Sequence, residues 1–232
     1  MEKAFNLSDM LSSSLVRRRL QDMMVLSKKE KREAGFNIYL LSDRLCINLP
    51  VAGREHSMPS HRPAVGLAYK AGEGFFTEES SQVIVVAHTH RDDPRLSLGD
   101  SYGLWRLLVE NWKIGNRDFN FWANPLAIVV APKQLSVGYY RLPEFGEEDF
   151  DLLDELDVEI SDFMSERLAV ARVLSKMKGK HFGESCRSLQ LMLKRKALGV
   201  AFVTRSCTIS TLEKTLLGFE SITNFEGESG DT

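Results

Sequence analysis

Apolar residues recur at helical spacing near the start of the chain and at strand-like spacing after it. The segment from Ser8 to Lys31 predicts a helix, with Ser8 as its cap and Arg17–Arg19 on the outer face. The predicted inner stripe consists of Leu11, Leu15, Leu20, Met23 or Met24, and Ser27. We therefore expect a long first helix that packs one side against a sheet.

Short apolar runs between turn residues predict several strands. Phe36–Leu41 and Arg44–Leu49 flank Ser42-Asp43, which is typical of a hairpin. Val83–Ala87 is apolar at every position, which predicts a central strand covered on both faces. Further predictions are a loop from Pro50 to Pro63, a second hairpin from Ala64–Lys70 and Gly74–Thr77, and strands at Leu126–Ala131, Gly138–Leu142 and Val200–Thr204.

The second half of the chain is predicted to be richer in helix. An amphipathic helix is expected after Ser97, and the apolar residues from Phe150 to Met177 keep a 3.6-residue period. Two shorter helices are expected after that. The predicted organisation is an α/β domain over residues 8–145, a mostly helical extension over 146–218 and a polar tail over 219–232.

The composition is that of a folded globular protein. The chain has 232 residues, 43% of them hydrophobic, and a formal net charge of −2, which does not favour nucleic acid or an anionic membrane as partner. Cys46, Cys186 and Cys207 form no Cys-x-x-Cys pair, so neither a disulfide framework nor a thiolate zinc site is indicated. No stretch approaches the roughly 18 apolar residues of a membrane span, and no signal peptide is recognised, which favours the cytoplasm.

Charge is distributed unevenly along the chain. The segment from Glu144 to Glu166 contains no lysine or arginine, whereas the segment from Arg167 to Lys196 contains nine basic residues against Glu184 alone. We interpret the two segments as solvated faces that partly neutralise each other. Nothing in the pattern indicates a particular oligomeric state.

The chemically most informative residues follow the apolar run Val83–Ala87. Residues two apart on a strand point to the same face, so His88 and His90 are expected to leave the strand end together. Asp100, at the start of the next helix, can add an oxygen ligand and leave a fourth zinc position open for water, as in catalytic sites. Ser97-x-x-Asp100 also fits a helix capping box, which is a purely structural interpretation.

These residues resemble the motif of the JAMM/MPN metalloproteases, His-x-His-Pro, a short loop and Ser-x-x-Asp. Arg91 replaces the proline here, and the loop before Ser97 is one residue shorter than the common spacing. The family also has a glutamate near an early strand, which Glu33-Ala34-Gly35 matches. The resemblance covers roughly residues 8–142. It implies an MPN/JAB-like (cytidine deaminase-like) three-layer fold with a mixed sheet flanked by helices.

The resemblance also implies zinc-dependent hydrolysis of an amide bond. The zinc would be held by His88, His90 and Asp100, and would lower the pKa of its bound water to about 7. Glu33 would be the general base, and the Ser97 hydroxyl would stabilise the oxyanion. Because the usual substrates of the family are ubiquitin and ubiquitin-like tags, the implied activity is that of a peptidase or isopeptidase acting on a protein or peptide.

Other interpretations stay open at this point. One is a non-catalytic MPN-like scaffold, related to the bacterial RadC branch through the loop at Asp93-Pro94. A second is a metallo-β-lactamase-type hydrolase, whose motif begins His-x-His-x-Asp-His, although Asp93 replaces the third histidine here and the only downstream candidate histidine is His181. A third is an α/β-hydrolase elbow centred on Ser101, although that elbow follows directly on a strand. Other candidates for the general base are Glu30, Glu55 and Glu73.

Overall fold

The computed structural model describes residues 11–41, 44–53, 81–90, 93–118, 121–143, 150–178, 186–196, 199–216, 219 and 222–224. The hairpin predicted at 64–77 and most of the loop predicted at 50–63 lie outside these residues. The helices are α1 (Ser14–Glu30), α2 (Leu98–Asp118), α3 (Phe150–Lys178), α4 (Arg187–Lys196) and α5 (Leu212–Thr215). The strands are β1 (Ala34–Leu41), β2 (Arg44–Ile47), β3 (Val51–Ala52), β4 (Ser81–Thr89), β5 (Phe121–Ala123), β6 (Leu126–Val130), β7 (Leu135–Arg141), β8 (Ala201–Cys207) and β9 (Ile222–Asn224).

The chain is an α/β protein with a mixed seven-stranded sheet. The strand order is β2-β1-β4-β6-β7-β8, and β3 also pairs with β1. Strand β4 lies inside the sheet, antiparallel to β1 and parallel to β6, and it is buried from Gln82 to Thr89. The prediction of a covered central strand at Val83–Ala87 is confirmed. The first hairpin is also confirmed, because Leu41 of β1 pairs with Arg44 of β2.

Helices cover both faces of the sheet. Along β6, Leu126, Ile128 and Val130 face a core formed with α1 and α5, whereas Ala127 and Val129 face a core formed with α2, α3 and α4. Because strand side chains alternate between faces, these two cores are separate layers. The helices predicted after Ser97 and over 150–177 are therefore both present and lie in the same layer.

Helix α1 begins at Ser14, within the predicted span. Ser13 caps it by accepting a hydrogen bond from the Val16 N–H at 3.3 Å, and the predicted cap Ser8 lies outside the described residues. The buried stripe contains Val16 in place of Leu15, which is 47% exposed. Five residues separate Leu15 from Leu20, which turns the two side chains about 140° apart on a helix, whereas Val16 lies four residues from Leu20 on the same side.

The C-terminal part of the chain is integrated with the sheet. Strand β8 pairs with β7, and the segment predicted as a polar tail contains β9, which pairs with β5. The salt bridge from Lys196 of α4 to Glu159 of α3, at 2.7 Å, joins the basic segment to the acidic one. None of the described helices has the length and apolar character needed to cross a bilayer.

A buried amide ties helix α2 to the start of β4. Asn111 is 1% exposed; its Oδ1 accepts from the Val83 N–H at 2.9 Å, and its Nδ2 donates to the carbonyls of Val83 and Ala123 at 2.7 and 2.8 Å. Gln82 adds two bonds to β5, accepting from the Ala123 N–H and donating to the Phe121 carbonyl. These bonds fix the helix that carries Asp100 relative to the strand that carries the histidines.

Replacement of Asn111 by alanine should therefore destabilise the whole fold. It leaves one buried N–H and two buried carbonyls without their partner, and we expect the free energy of unfolding to fall by about 3 kcal/mol or more in urea titrations. The matched control is Arg106→Ala on the exposed side of the same helix. Its effect should stay within about 0.5 kcal/mol. Equal losses for the two variants would contradict the assigned role of Asn111.

Candidate metal centre

The two histidines at the end of β4 meet through their imidazole rings. His88 pairs with Gly35 of β1 and Val129 of β6, and the His90 N–H continues the ladder by donating to the Val130 carbonyl at 2.9 Å. The two Nε2 atoms lie 3.2 Å apart, and the ring centroids lie 5.0 Å apart. The side-by-side placement that strand alternation predicts is therefore present.

Asp100 approaches both imidazoles from the first turn of α2. Its Oδ1 lies 3.2 Å from His88 Nε2, and its Oδ2 lies 3.6 Å from His90 Nε2. The same carboxylate also accepts from the Ser97 N–H at 2.6 Å, while Ser97 Oγ accepts from the Asp100 N–H at 3.3 Å. The capping box and the approach to the histidines thus coexist, because a carboxylate has two oxygens to offer.

The donor atoms of this group suit a single metal ion. Side-chain donors of His88, His90 and Asp100 lie within 4.8 Å of one another. Two ligands at zinc-like distances in a tetrahedral arrangement are about 3.3 Å apart. The two Nε2 atoms, 3.2 Å apart, are close to that value, and the carboxylate lies 3.2 Å from His88 through Oδ1 and 3.6 Å from His90 through Oδ2. This buried His-His-Asp group can bind a metal ion; two nitrogens and one oxygen are common to sites for several divalent metals.

A backbone carbonyl orients the more exposed imidazole. The Nδ1 atom of His90 lies 3.0 Å from the Asp93 carbonyl, which can accept only a hydrogen bond. Nδ1 therefore carries the proton in the neutral ring, and the Nε2 lone pair faces Asp100, as is usual for metal-binding histidines. The Asp93 carboxylate binds Arg95 through Nε at 2.8 Å, and these hydrogen bonds lower the pKa of Asp93.

Opposite charges in the site shift the pKa values of His88 and Asp100. Burial acts to lower the pKa of His88, but the charge and hydrogen bond of Asp100, together with the charge of Glu33, raise it above its ordinary value of 6.5. Burial likewise acts to raise the pKa of Asp100, but His88, His90 and the Ser97 N–H hold it well below its ordinary value of 3.8. Without a metal, the group is therefore an ion pair over part of the pH range.

Glu33 lies at the same edge of the sheet. Because β1 runs antiparallel to β4 with Gly35 opposite His88, the residue just before β1 lies beside the end of β4. The Glu33 carbonyl accepts from the Gly53 N–H at 2.6 Å, which fixes its backbone from the β3 side. Its charge is the smallest of the influences that raise the pKa of His88. The structure thus brings His88, His90, Ser97 and Asp100 into contact and places the backbone of Glu33 at the same edge of the sheet.

Thr89 fixes the backbone next to Glu33 from the other face of the sheet. Its hydroxyl accepts from the Ala34 N–H at 2.9 Å and donates to Ser27 Oγ at 2.9 Å. Ser27 in turn donates to the Arg32 carbonyl at 2.6 Å. Sequence reasoning did not single out Thr89, although alternation already predicts that a residue between two histidines of one face points to the opposite face.

Cys186 is a second residue that the sequence did not connect with the site. Its thiol donates to the carbonyls of Leu96 and Ser97 at 3.2 and 3.1 Å, across about 90 positions of sequence. Burial raises the pKa of the Cys186 thiol to about 12, so the sulfur keeps its proton. No local pattern relates residue 186 to residues 96 and 97, and the sequence therefore contained no signal for this contact.

The α/β-hydrolase interpretation of Ser101 is wrong. Ser101 lies within α2, is fully buried at 0% exposure, and donates its hydroxyl to the Leu98 carbonyl at 2.8 Å. A nucleophilic serine must instead be exposed on a turn directly after a strand. His181, which the metallo-β-lactamase interpretation requires, lies outside the described residues.

No protein-family model, curated protein sequence or solved structure matches the chain.

Zinc should stabilise the native protein through this group. A ligand at about one hundred times its Kd that binds the native state alone adds about 2.7 kcal/mol to the free energy of unfolding. We expect such a gain on adding Zn²⁺ to chelator-treated protein, and its loss in His88→Ala and Asp100→Asn. The matched control Asp154→Asn changes an exposed aspartate on α3 and should keep the gain. A gain that persists in His88→Ala would place the metal elsewhere.

The metal-free ion pair predicts a pH-dependent stability. The raised pKa of His88 adds stability that is fully present below 6.5 and is lost as the pH rises through the folded-state value. The lowered pKa of Asp100 adds stability that is present above 3.8 and is lost as the pH falls through its folded-state value. Urea unfolding with a chelator present should therefore show the largest advantage of wild type over Asp100→Asn between pH 3.8 and 6.5. An advantage that grows above neutral pH would contradict this assignment.

Proposed function

We propose that this protein is a zinc-dependent peptidase or isopeptidase built on an MPN/JAB-like domain. The observation that carries the proposal is the convergence of His88 Nε2, His90 Nε2 and the Asp100 carboxylate at one edge of the sheet, with the charge of Glu33 acting on the same place. Three protein ligands leave a fourth tetrahedral position for solvent, which is the arrangement of catalytic rather than structural zinc.

The order of the elements supports the MPN-like interpretation. A long helix, α1, precedes the strand that begins after Glu33, and the buried strand β4 leads through a short loop into α2, which begins after Ser97. This is the order in which the JAMM/MPN motif presents its glutamate, its two histidines and its Ser-x-x-Asp. Arg91 in place of the family proline and the shorter loop have not prevented Asp100 from reaching His88.

The proposed mechanism of amide hydrolysis gives Glu33 and Ser97 separate roles. A bound zinc ion would supply a Lewis acid and a water molecule of lowered pKa. The Glu33 carboxylate takes a proton from the attacking water and delivers it to the amide nitrogen as the C–N bond breaks, so that a carboxylic acid and an amine leave. Ser97 Oγ accepts from the Asp100 N–H, and a hydroxyl that accepts one bond still has its proton to donate to the oxyanion.

The substrate class follows from the motif and from the reaction. The site residues suit attack on an amide carbonyl, and the family resemblance points to a peptide bond or a lysine isopeptide bond of a ubiquitin-like conjugate. A non-catalytic MPN-like scaffold is the second candidate, since a metal-binding group can also support a binding surface. The two candidates differ in whether the metal-loaded protein cleaves any such bond.

Glu33→Gln should separate catalysis from metal binding. A glutamine keeps the shape of Glu33 but cannot accept a proton, and loss of a general base lowers kcat by about 10²- to 10⁴-fold. The assay measures cleavage of peptide-linked and isopeptide-linked ubiquitin-like conjugates by zinc-loaded protein, and metal content is measured in parallel. Glu33→Gln should retain zinc and lose cleavage.

The matched control is Glu30→Gln, three residues upstream at the exposed end of α1, which should retain both zinc and cleavage. Equal loss in both variants would remove Glu33 from the mechanism. Stoichiometric zinc without cleavage of any of these conjugates would favour the scaffold. Absence of zinc binding would exclude the proposed hydrolase.

A further inference from the structure

The position of Asp100 depends on the turn that precedes α2. Within that turn, Leu96 is buried against β7 and β8, where Gly138 leaves room for it. A Cβ atom on Gly138 would lie 2.9 Å from Leu96 Cδ2, which is closer than real Cβ atoms come, and would make a tight contact of 3.0 Å with the Phe202 ring. The apolar side of the turn is therefore seated in a fitted gap of the sheet.

The polar side of the same turn is held by one thiol. Cys186 is 5% exposed, precedes α4, and donates its S–H to the carbonyls of Leu96 and Ser97. On the other side of Asp100, the Tyr140 hydroxyl donates to the Ser101 carbonyl at 2.9 Å. The backbone before Asp100 is thus tied to Cys186, and the backbone after it is tied to β7.

We propose that Cys186 is a positioning residue of the metal centre: by holding the Leu96 and Ser97 carbonyls it sets the start of α2, and with it the reach of Asp100 to the two imidazoles. This inference rests on the metal site described above and adds a function for the C-terminal segment. The segment that contains α4 thereby becomes part of the metal centre without supplying a ligand.

The geometry distinguishes this role from metal ligation. The sulfur is not part of the group of donor atoms formed by His88, His90 and Asp100 among the described residues. It donates to carbonyls, which requires the protonated thiol, whereas a metal ligand would be the thiolate. Loss of the donor is expected to loosen the turn while leaving the three ligands in the chain.

The test compares Cys186→Ala and Cys186→Ser with the matched control Cys207→Ala, a half-buried cysteine of β8 on the other core. The affinity for Zn²⁺ is measured on the full chain by chelator competition, and urea unfolding of the metal-free variants is followed in parallel. Mutation of a residue that orients a metal ligand without binding the metal lowers the metal affinity by about 10- to 100-fold. For Cys186→Ala we expect a loss of Zn²⁺ affinity at the lower end of this range, about 10-fold. Cys186→Ser keeps an O–H donor and should recover most of it, and Cys207→Ala should bind as wild type does.

Two spectroscopic readouts complete the experiment. The Co²⁺-loaded wild type should show no sulfur-to-metal charge-transfer band, because the Cys186 thiol is not expected to bind the metal. Such a band would make Cys186 a ligand and overturn the positioning role. In metal-free protein, the imidazole ¹⁵N shifts of His88 report its contact with Asp100. These shifts should move in Cys186→Ala and stay unchanged in Cys207→Ala.

The outcomes separate this inference from the proposed function. If wild type binds zinc and Cys186→Ala binds it equally well, the inference is overturned while the metal site stands. If wild type binds no zinc, the proposed function fails, and the inference is then tested by the ¹⁵N shifts of His88. His88 shifts in Cys186→Ala that match those of wild type would overturn the inference. Weaker zinc binding that the serine variant restores supports it, even where the unfolding free energy is unchanged.

Discussion

The site depends on the contacts of the Asp100 carboxylate with the turn before α2 and with the two histidines. It closes the first turn of α2 through the Ser97 N–H and faces His88 and His90 with the same two oxygens. The positive end of the helix dipole favours a negative charge at this position. A residue of the first helical turn therefore also completes the group of candidate metal ligands, and this second role requires the beginning of α2 to lie beside the end of β4.

The central sheet determines where Glu33 lies relative to the two histidines. Antiparallel pairing of β1 with β4 brings the residue before β1 to the end of β4, so the backbone of Glu33 lies at the histidine end of the strand although 55 positions separate Glu33 from His88. Thr89 strengthens this junction on the opposite face by bonding the Ala34 N–H and Ser27. The candidate metal ligands and the proposed general base thus lie where two neighbouring strands end and begin.

The parts of the fold that periodicity encodes were predictable from the sequence. The apolar run Val83–Ala87 identified the central strand, and the alternation of His88 and His90 predicted that their rings share a face. The start of the first helix was not predictable in the same way, since several serines near the start of the chain are acceptable caps and the structure uses Ser13. The prediction of Leu15 on the buried side was wrong because its five-residue spacing from Leu20 turns it away, whereas Val16 lies four residues from Leu20.

Features that depend on distant pairing lay beyond sequence reasoning. Strand β9 has three residues, too few for a periodicity, and is stabilised by its partner β5. The contact of Cys186 with the Leu96 and Ser97 carbonyls likewise exists because α4 packs beside the turn, which no spacing of residues encodes. In the candidate site, the residue types could be predicted from the motif. The residues that hold them in position, Thr89 and Cys186, could be identified only from the three-dimensional structure.

Gly138 shows how far the requirements of such a centre extend. It lies in the middle of β7, carries no functional group and is paired on both sides, so a sequence comparison would assign it to the sheet alone. Yet its missing side chain is the space that Leu96 fills. Gly138→Ala would be harmless to strand propensity and would still crowd the Leu96 side chain, so the demands on this strand position come partly from the turn that precedes Asp100.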